Sequence, residues 1–127
     1  MADNKLMLNE LKETADLSLA TLTDAVSLLD NIDEAIHQKA RLGILSTLMT
    51  LGEADFKLLK ETLNLSDGNL STHMTLLENR GYITVRKEFK GKRPHTTITL
   101  TNIGRDAFQQ YLAALEKIIR AANGGIS

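Results

Sequence analysis

The sequence predicts a mainly α-helical chain with one small β-hairpin, and three observations carry that expectation. Apolar residues recur at three- and four-residue steps along most of its length. Residues suited to helix caps fall between these stripes. Between Tyr82 and Leu100 the pattern changes to alternation and β-branched residues, with glycine and proline in the middle.

Residues 5–32 contain neither Pro nor Gly, and Leu19, Leu22, Val26 and Leu29 form an apolar helical stripe that Leu28 and Ile32 widen. Leu6, Leu8 and Leu11 are less regular, so a break near Ala15-Asp16 leaves one helix or two open. Asn31 to Glu34 interrupts, with Asp33 as the expected N-cap of a helix that carries Ile36, Ala40, Ile44, Leu45 and Leu48 to Gly52. Asp55 caps a short helix with Phe56, Leu59 and Leu63 on one side. Asn64-Leu65-Ser66 is a turn, and Ser66 caps the next helix, with Asp67 at the positive end of its dipole. Leu70, Met74 and Leu77 give that helix its buried side, and Gly81 ends it. Strand residues follow from Tyr82 to Arg86, with the bend marked by Gly91 and Pro94 and a return strand over Thr96–Leu100. Thr101 caps a last helix whose stripe runs from Ala107 through Phe108, Tyr111, Leu115 and Ile118 to Ala122, stopped by Asn123-Gly124-Gly125.

The expected organisation is a single domain over 1–127: a helical extension at about 1–32, a core at 33–101 and a terminal helix at 102–123. No apolar run approaches the roughly 20 residues that span a bilayer, so no membrane partner is expected. The opening Met1-Ala2-Asp3-Asn4-Lys5 is not a basic-then-apolar export signal, and the chain has no cysteine. Both features fit a cytoplasmic protein.

The net charge of −1 conceals an uneven distribution. Residues 1–60 balance at −4 and residues 61–79 at −3, whereas residues 80–95 balance at +5 from Arg80, Arg86, Lys87, Lys90, Lys92 and Arg93 against Glu88. Local field, not net charge, steers a polyanion. With Leu70, Met74 and Leu77 inward, Asn69, Ser71, Thr72 and Thr75 lie on or near the other side of their helix, beside the cap Ser66. Short hydroxyl and amide side chains reach base edges and phosphates. A generic exposed helix carries more Glu and Lys, because Ser and Thr lower helix propensity. His73 falls at the edge between the two sides, with phosphate contact and internal support both open. Lys90, Lys92 and Arg93, with His95 next to them, surround the bend. Arginine there suits the minor groove and lysine suits phosphates. A lysine-rich hairpin also keeps an edge strand soluble, so charge alone does not decide. The DNA reading requires the hydroxyl side of 67–80 and the cationic bend at 90–95 to face one duplex.

Catalysis finds little in the sequence, so the expectation is a non-enzyme without cofactor. His37, His73 and His95 show no HxxxH or HExxH spacing, so no metal site is expected. Gly68, Gly81 and Gly91 are scattered and build no phosphate loop.

The runs Ile36–Leu45, Leu65–Met74 and Leu77–Ile83, followed by Lys90-Gly91-Lys92-Arg93-Pro94 and Thr97–Arg105, resemble winged helix-turn-helix transcriptional regulators of the broad MarR/ArsR-like type. The likeness spans about 34–120. It implies a winged helix-turn-helix and a homodimer on double-stranded DNA at a pseudo-palindromic operator. It implies recognition-helix positions for Asn69, Ser71, Thr72 and Thr75 and a wing tip at Lys92 and Arg93. The N-terminal extension lies outside the likeness, and it is the surplus apolar stripes at about 17–30 and 103–122 that predict extra N- and C-terminal helices for dimerisation. The likeness admits a small-molecule effector that no residue cluster here identifies. The absence of cysteine departs from the thiolate metal sensors of the ArsR type. The expected function is sequence-specific regulation, with repression foremost. The alternative is a winged module that binds protein or RNA, since fold does not fix function.

Overall fold

The computed structural model describes residues 2–124. The elements run α1 (Ala2–Ser27), a 3-10 turn (Leu28–Asn31), α2 (Lys39–Leu51), β1 (Glu53–Asp55), α3 (Phe56–Leu63), α4 (Asp67–Asn79), β2 (Ile83–Lys90), β3 (Arg93–Leu100) and α5 (Asn102–Ala122). They fall into two units, Asp33–Leu112 on one hand and the described residues before and after it on the other.

Within Asp33–Leu112 the core is aliphatic. Ile44, Leu45 and Leu48 of α2, Leu59 of α3, and Leu70 and Leu77 of α4 are fully buried, as are Ile83 and Ile98 of the sheet. Truncating such a residue to Ala costs about 2–5 kcal/mol, so these contacts fix how α4 is held. The local signals agree with the burial. Asp55 accepts the Leu58 N–H at 2.7 Å, and Ser66 Oγ accepts the Asn69 N–H at 3.1 Å. Thr101 Oγ1 accepts the Gly104 N–H at 2.9 Å and donates to the Gly81 carbonyl at 2.5 Å, pinning the start of α5 to the corner between α4 and β2. Gly104 permits that approach, because a Cβ there would overlap the Tyr82 carbonyl.

Three expectations need correction. First, α2 begins at Lys39, not after Asp33, and its N-cap is Gln38, whose side chain accepts the Arg41 N–H at 2.9 Å. Asp33 caps a separate turn: its Oδ1 accepts the Ala35 N–H at 2.9 Å, and its carbonyl accepts from Ile36 and His37. The turn still buries Ile36. Second, the sheet has three strands in the order β1-β3-β2, all antiparallel. Glu53–Asp55 pairs with Thr97–Thr99, a strand that three residues of low β propensity do not announce. Third, the bend is only Gly91-Lys92, flanked by the pair Lys90–Arg93, and Pro94 lies inside β3 opposite Phe89. Gly91 has φ 65°, the glycine-first pattern of a type II′ hairpin turn. Antiparallel pairs alternate between hydrogen-bonded and not, so the pair after the turn tolerates a residue with no N–H.

In the other unit, α1 is unbroken through Ala15-Asp16, which resolves the one-or-two question, and the 3-10 turn continues it. Leu22, Val26 and Leu29 lie in a shallow apolar groove completed by Ile118 and Ala121 of α5. Leu19, Leu22, Val26 and Leu29 remain more than half exposed, between 54% and 64%. No described helix is long and apolar enough to cross a membrane.

Candidate nucleic-acid interface

The buried stripe of α4 dictates what its other side presents. Leu70 and Leu77 are fully buried and Met74 nearly so, which leaves Ser66, Asn69, Ser71, Thr72 and Thr75 exposed and His73 half-buried. The hydroxyls are not equivalent. Thr72 Oγ1 donates to the Gly68 carbonyl and Thr75 Oγ1 to the Ser71 carbonyl, each at 2.9 Å. Both threonines therefore offer acceptor lone pairs and an outward methyl group. The Asn69 amide and the Ser71 hydroxyl have no partner among the described residues, so they keep donors and acceptors free. Asp67 is 2.7 Å from Lys60 of α3, which offsets the carboxylate at the head of α4.

His73 is tied inward. Arg41 donates from a terminal guanidinium nitrogen to its Nδ1 at 3.1 Å, while Arg41 Nε donates to the Ala35 carbonyl at 2.5 Å. With Nδ1 accepting, the ring proton sits on Nε2. Burial and then the neighbouring guanidinium hold the imidazole below its usual pKa. A second brace joins the same turn to the end of α4: the Tyr82 hydroxyl donates to the Asp33 carboxylate. Burial first, and that bond second, push the phenol up to about 12. His37 Nδ1 lies 2.8 Å from the Tyr111 hydroxyl, away from α4.

On the wing, Arg86 pairs with Glu88 and is neutralised. Among the described residues Lys87, Lys90, Lys92 and Arg93 form no ion pair, so the wing keeps four uncompensated cations.

The structure brings together part of the expected surface. Ser71, Thr75 and Glu78 of α4, Phe56 of α3, and Val85, Lys87 and Thr96 of the wing wall one open groove of about 560 Å³. The bend residues Lys90 and Arg93, with His95, line a second groove against Asp55, Phe56 and Lys57 at the head of α3. The grooves share Phe56 and Thr96, so they adjoin. Lys92 sits exposed at the turn, and Asn69 and Thr72 on the outer side of α4. Sequence reasoning did not single out Phe56, Lys57, Lys87 or Thr96 for this surface. Strand alternation held a signal for Lys87, which is two residues from Val85 and shares its face. No cluster of three His, Asp or Glu side chains able to hold a metal occurs among the described residues.

A helix pair with a tight turn, followed by a two-stranded wing against the second helix, defines a winged helix-turn-helix. Residues 40–119 match the family model described as a winged helix DNA-binding domain. An uncharacterized protein of Methanocaldococcus jannaschii is 43% identical over 72 residues, 57% of this chain and 78% of that protein. The transcriptional regulator homologue of Pyrococcus horikoshii superposes with TM-score 0.67 at 25% identity, over 81% of this chain and 97% of that one. The overoxidized AbfR bound to DNA superposes with TM-score 0.55 at 22% identity, over 94% of this chain and 84% of that one. The chain belongs to the winged helix DNA-binding domain family, and its fold is that of transcriptional regulators.

Proposed function

We propose that this winged-helix regulator binds operator DNA sequence-specifically as a homodimer and represses by occupying a promoter. The observation that carries this reading is the shared groove, in which hydroxyls of α4 face a lysine of the wing. In it α4 enters the major groove. Asn69 and Ser71 supply free hydrogen-bonding groups, and Thr72 and Thr75 supply acceptors and methyls suited to thymine. Lys90, Lys92 and Arg93 lie on phosphates and the adjacent minor groove, with Lys87 and Lys57 added as phosphate contacts. Ser66 and His95 are peripheral contacts, and His73 positions α4 through Arg41. That AbfR was captured on DNA with a related fold supports the arrangement.

The homodimer draws its support from the exposed apolar residues Leu19, Leu22, Val26 and Leu29, since stripes of this kind mark interfaces. In this reading 33–101 contacts DNA, while 1–32 and 102–123 join the subunits and set the two copies of α4 roughly 34 Å apart. The protein works in the cytoplasm and carries out no catalysis, and any effector acts by changing that spacing.

Selection of bound duplexes from a random pool, followed by mobility shift on the selected site, tests the proposal. The expected outcome is a two-fold symmetric site bound by a species of twice the chain mass. Indifference to sequence, or binding by a 14.0 kDa monomer, overturns it.

A further inference from the structure

One aromatic side chain of the wing lies largely outside the core. Phe89 is 74% exposed, the most exposed of the large apolar residues described. The sheet register explains where it stands. Ile83, Val85, Lys87 and Phe89 of β2 pair with Leu100, Ile98, Thr96 and Pro94 of β3, and alternation puts all eight on one face. At the base of the wing that face is core, with Ile83, Ile98 and Leu100 buried. Midway it becomes the Lys87 and Thr96 wall of the groove shared with α4. At the tip it ends in an exposed Phe–Pro pair.

An exposed aromatic on a hairpin tip is a liability, and edges are ordinarily protected by charge instead. Here charges share the wing tip with the ring without replacing it. Lys87 shares its face, Lys92 stands at the turn, and the pair Lys90–Arg93 lies next to it on the opposite face, all unpaired among the described residues. Such a rim repels a second identical tip and attracts a polyanion. Apolar side chains with a cationic rim match the minor groove of duplex DNA, whose walls are deoxyribose and whose rims are phosphate.

We propose that Phe89, backed by Pro94, is a minor-groove contact. It packs against sugar walls and loosens the adjacent base step, so the protein favours operators with an easily unstacked pyrimidine–purine step under the wing. The inference rests on the DNA-binding reading above and adds to it a residue, a chemistry and a source of specificity away from α4.

The test uses the full chain and its selected duplex, with 2-aminopurine placed in turn at each step flanking the site bound by α4. The wild type is expected to raise 2-aminopurine fluorescence at one step on each side. Phe89→Ala is expected to lose that signal and weaken binding about tenfold, with the salt slope unchanged, because no charge is removed. Phe89→Leu keeps apolar bulk and is expected to retain more than half of the lost affinity on a logarithmic scale. Alanine and wild type binding alike with the same fluorescence overturn this inference alone, as does an alanine variant altered in assembly mass but not in affinity. A wild type that binds no duplex overturns the DNA reading as well.

Discussion

The two surfaces assigned to DNA are built from opposite chemistry. From Asp67 to Asn79, α4 carries no Lys or Arg and offers amide, hydroxyl and methyl groups. From Ile83 to Leu100 the wing carries Arg86, Lys87, Lys90, Lys92 and Arg93, with only Glu88 against them. Charge acts over a Debye length, about 8 Å at physiological salt, and does not distinguish bases. Hydrogen bonds act at contact and do. The contrast teaches that charge-borne affinity and hydrogen-bond readout of bases are housed in separate elements of one small domain, so substitutions of charged and of amide or hydroxyl residues should separate them.

The largest effect is expected where both elements depend on one joint. A methyl group at Gly104 would overlap the Tyr82 carbonyl, between the end of α4 and the start of β2. Gly104→Ala should cost about 2–4 kcal/mol in urea unfolding, because backbone rather than a flexible side chain must move. Gly43→Ala is the control. Its new Cβ meets only the Leu63 side-chain tip, at 2.8 Å, and alanine favours a helix interior. Its stability should stay within about 1 kcal/mol of wild type. Equal losses at the two glycines would show that the joint is not special.

Next comes the wing. Lys92→Ala with Arg93→Ala should weaken binding to every duplex, and the slope of log K against log salt should fall by roughly 1.8, about 0.9 for each lost phosphate contact. Asn69→Ala should instead alter base preference at one position by about 1–2 kcal/mol, with the slope unchanged. Titrations across a salt series on the selected site and on a scrambled one measure both quantities. If the Asn69 variant moves the slope, or the double variant moves preference, the division between α4 and the wing fails.

Much of this division was legible in the residues. Ser66 caps α4, and Leu70, Met74 and Leu77 define its inner side, so the exposure of Ser71, Thr72 and Thr75 followed from periodicity alone. The grouping of residues on the wing did not. Pro94 looked like part of the bend, whereas the turn is two residues long, and the turn sets which side chains share a face. Thus Lys87, not Lys90 or Arg93, shares a groove with Ser71 and Thr75. β1 was invisible because Glu-Ala-Asp has no strand pattern and pairs only once β3 is in place. At Asp33 two local outcomes competed. The carboxylate caps in either case, but Gln38 supplies a second cap that restarts the helix at Lys39.

The smallest expected effect concerns His73, where the inner and outer sides of α4 meet. Burial and Arg41 lower its pKa in the native state, while the unfolded imidazole keeps its ordinary value near 6.5. Above about pH 6.5 both states are neutral and the ring adds no pH dependence. As pH falls below that, the unfolded chain takes up the proton first, so stability declines through the window down to the lowered native pKa. Urea unfolding at pH 7.5, 6.5 and 5.5 should show this decline, and His73→Gln should make it shallower. His37 and His95 are common to both proteins and cancel in the difference. DNA affinity sharpens the assignment. A ring that touches phosphate would bind tighter when protonated, since the added charge meets an anion. A ring that only supports Arg41 gains nothing from the proton, and its protonation sets two cations side by side. Affinity per folded molecule should therefore hold flat or fall on acidification, relative to His73→Gln at the same pH. A gain specific to the histidine protein would move His73 from the supporting side of α4 to the contacting one.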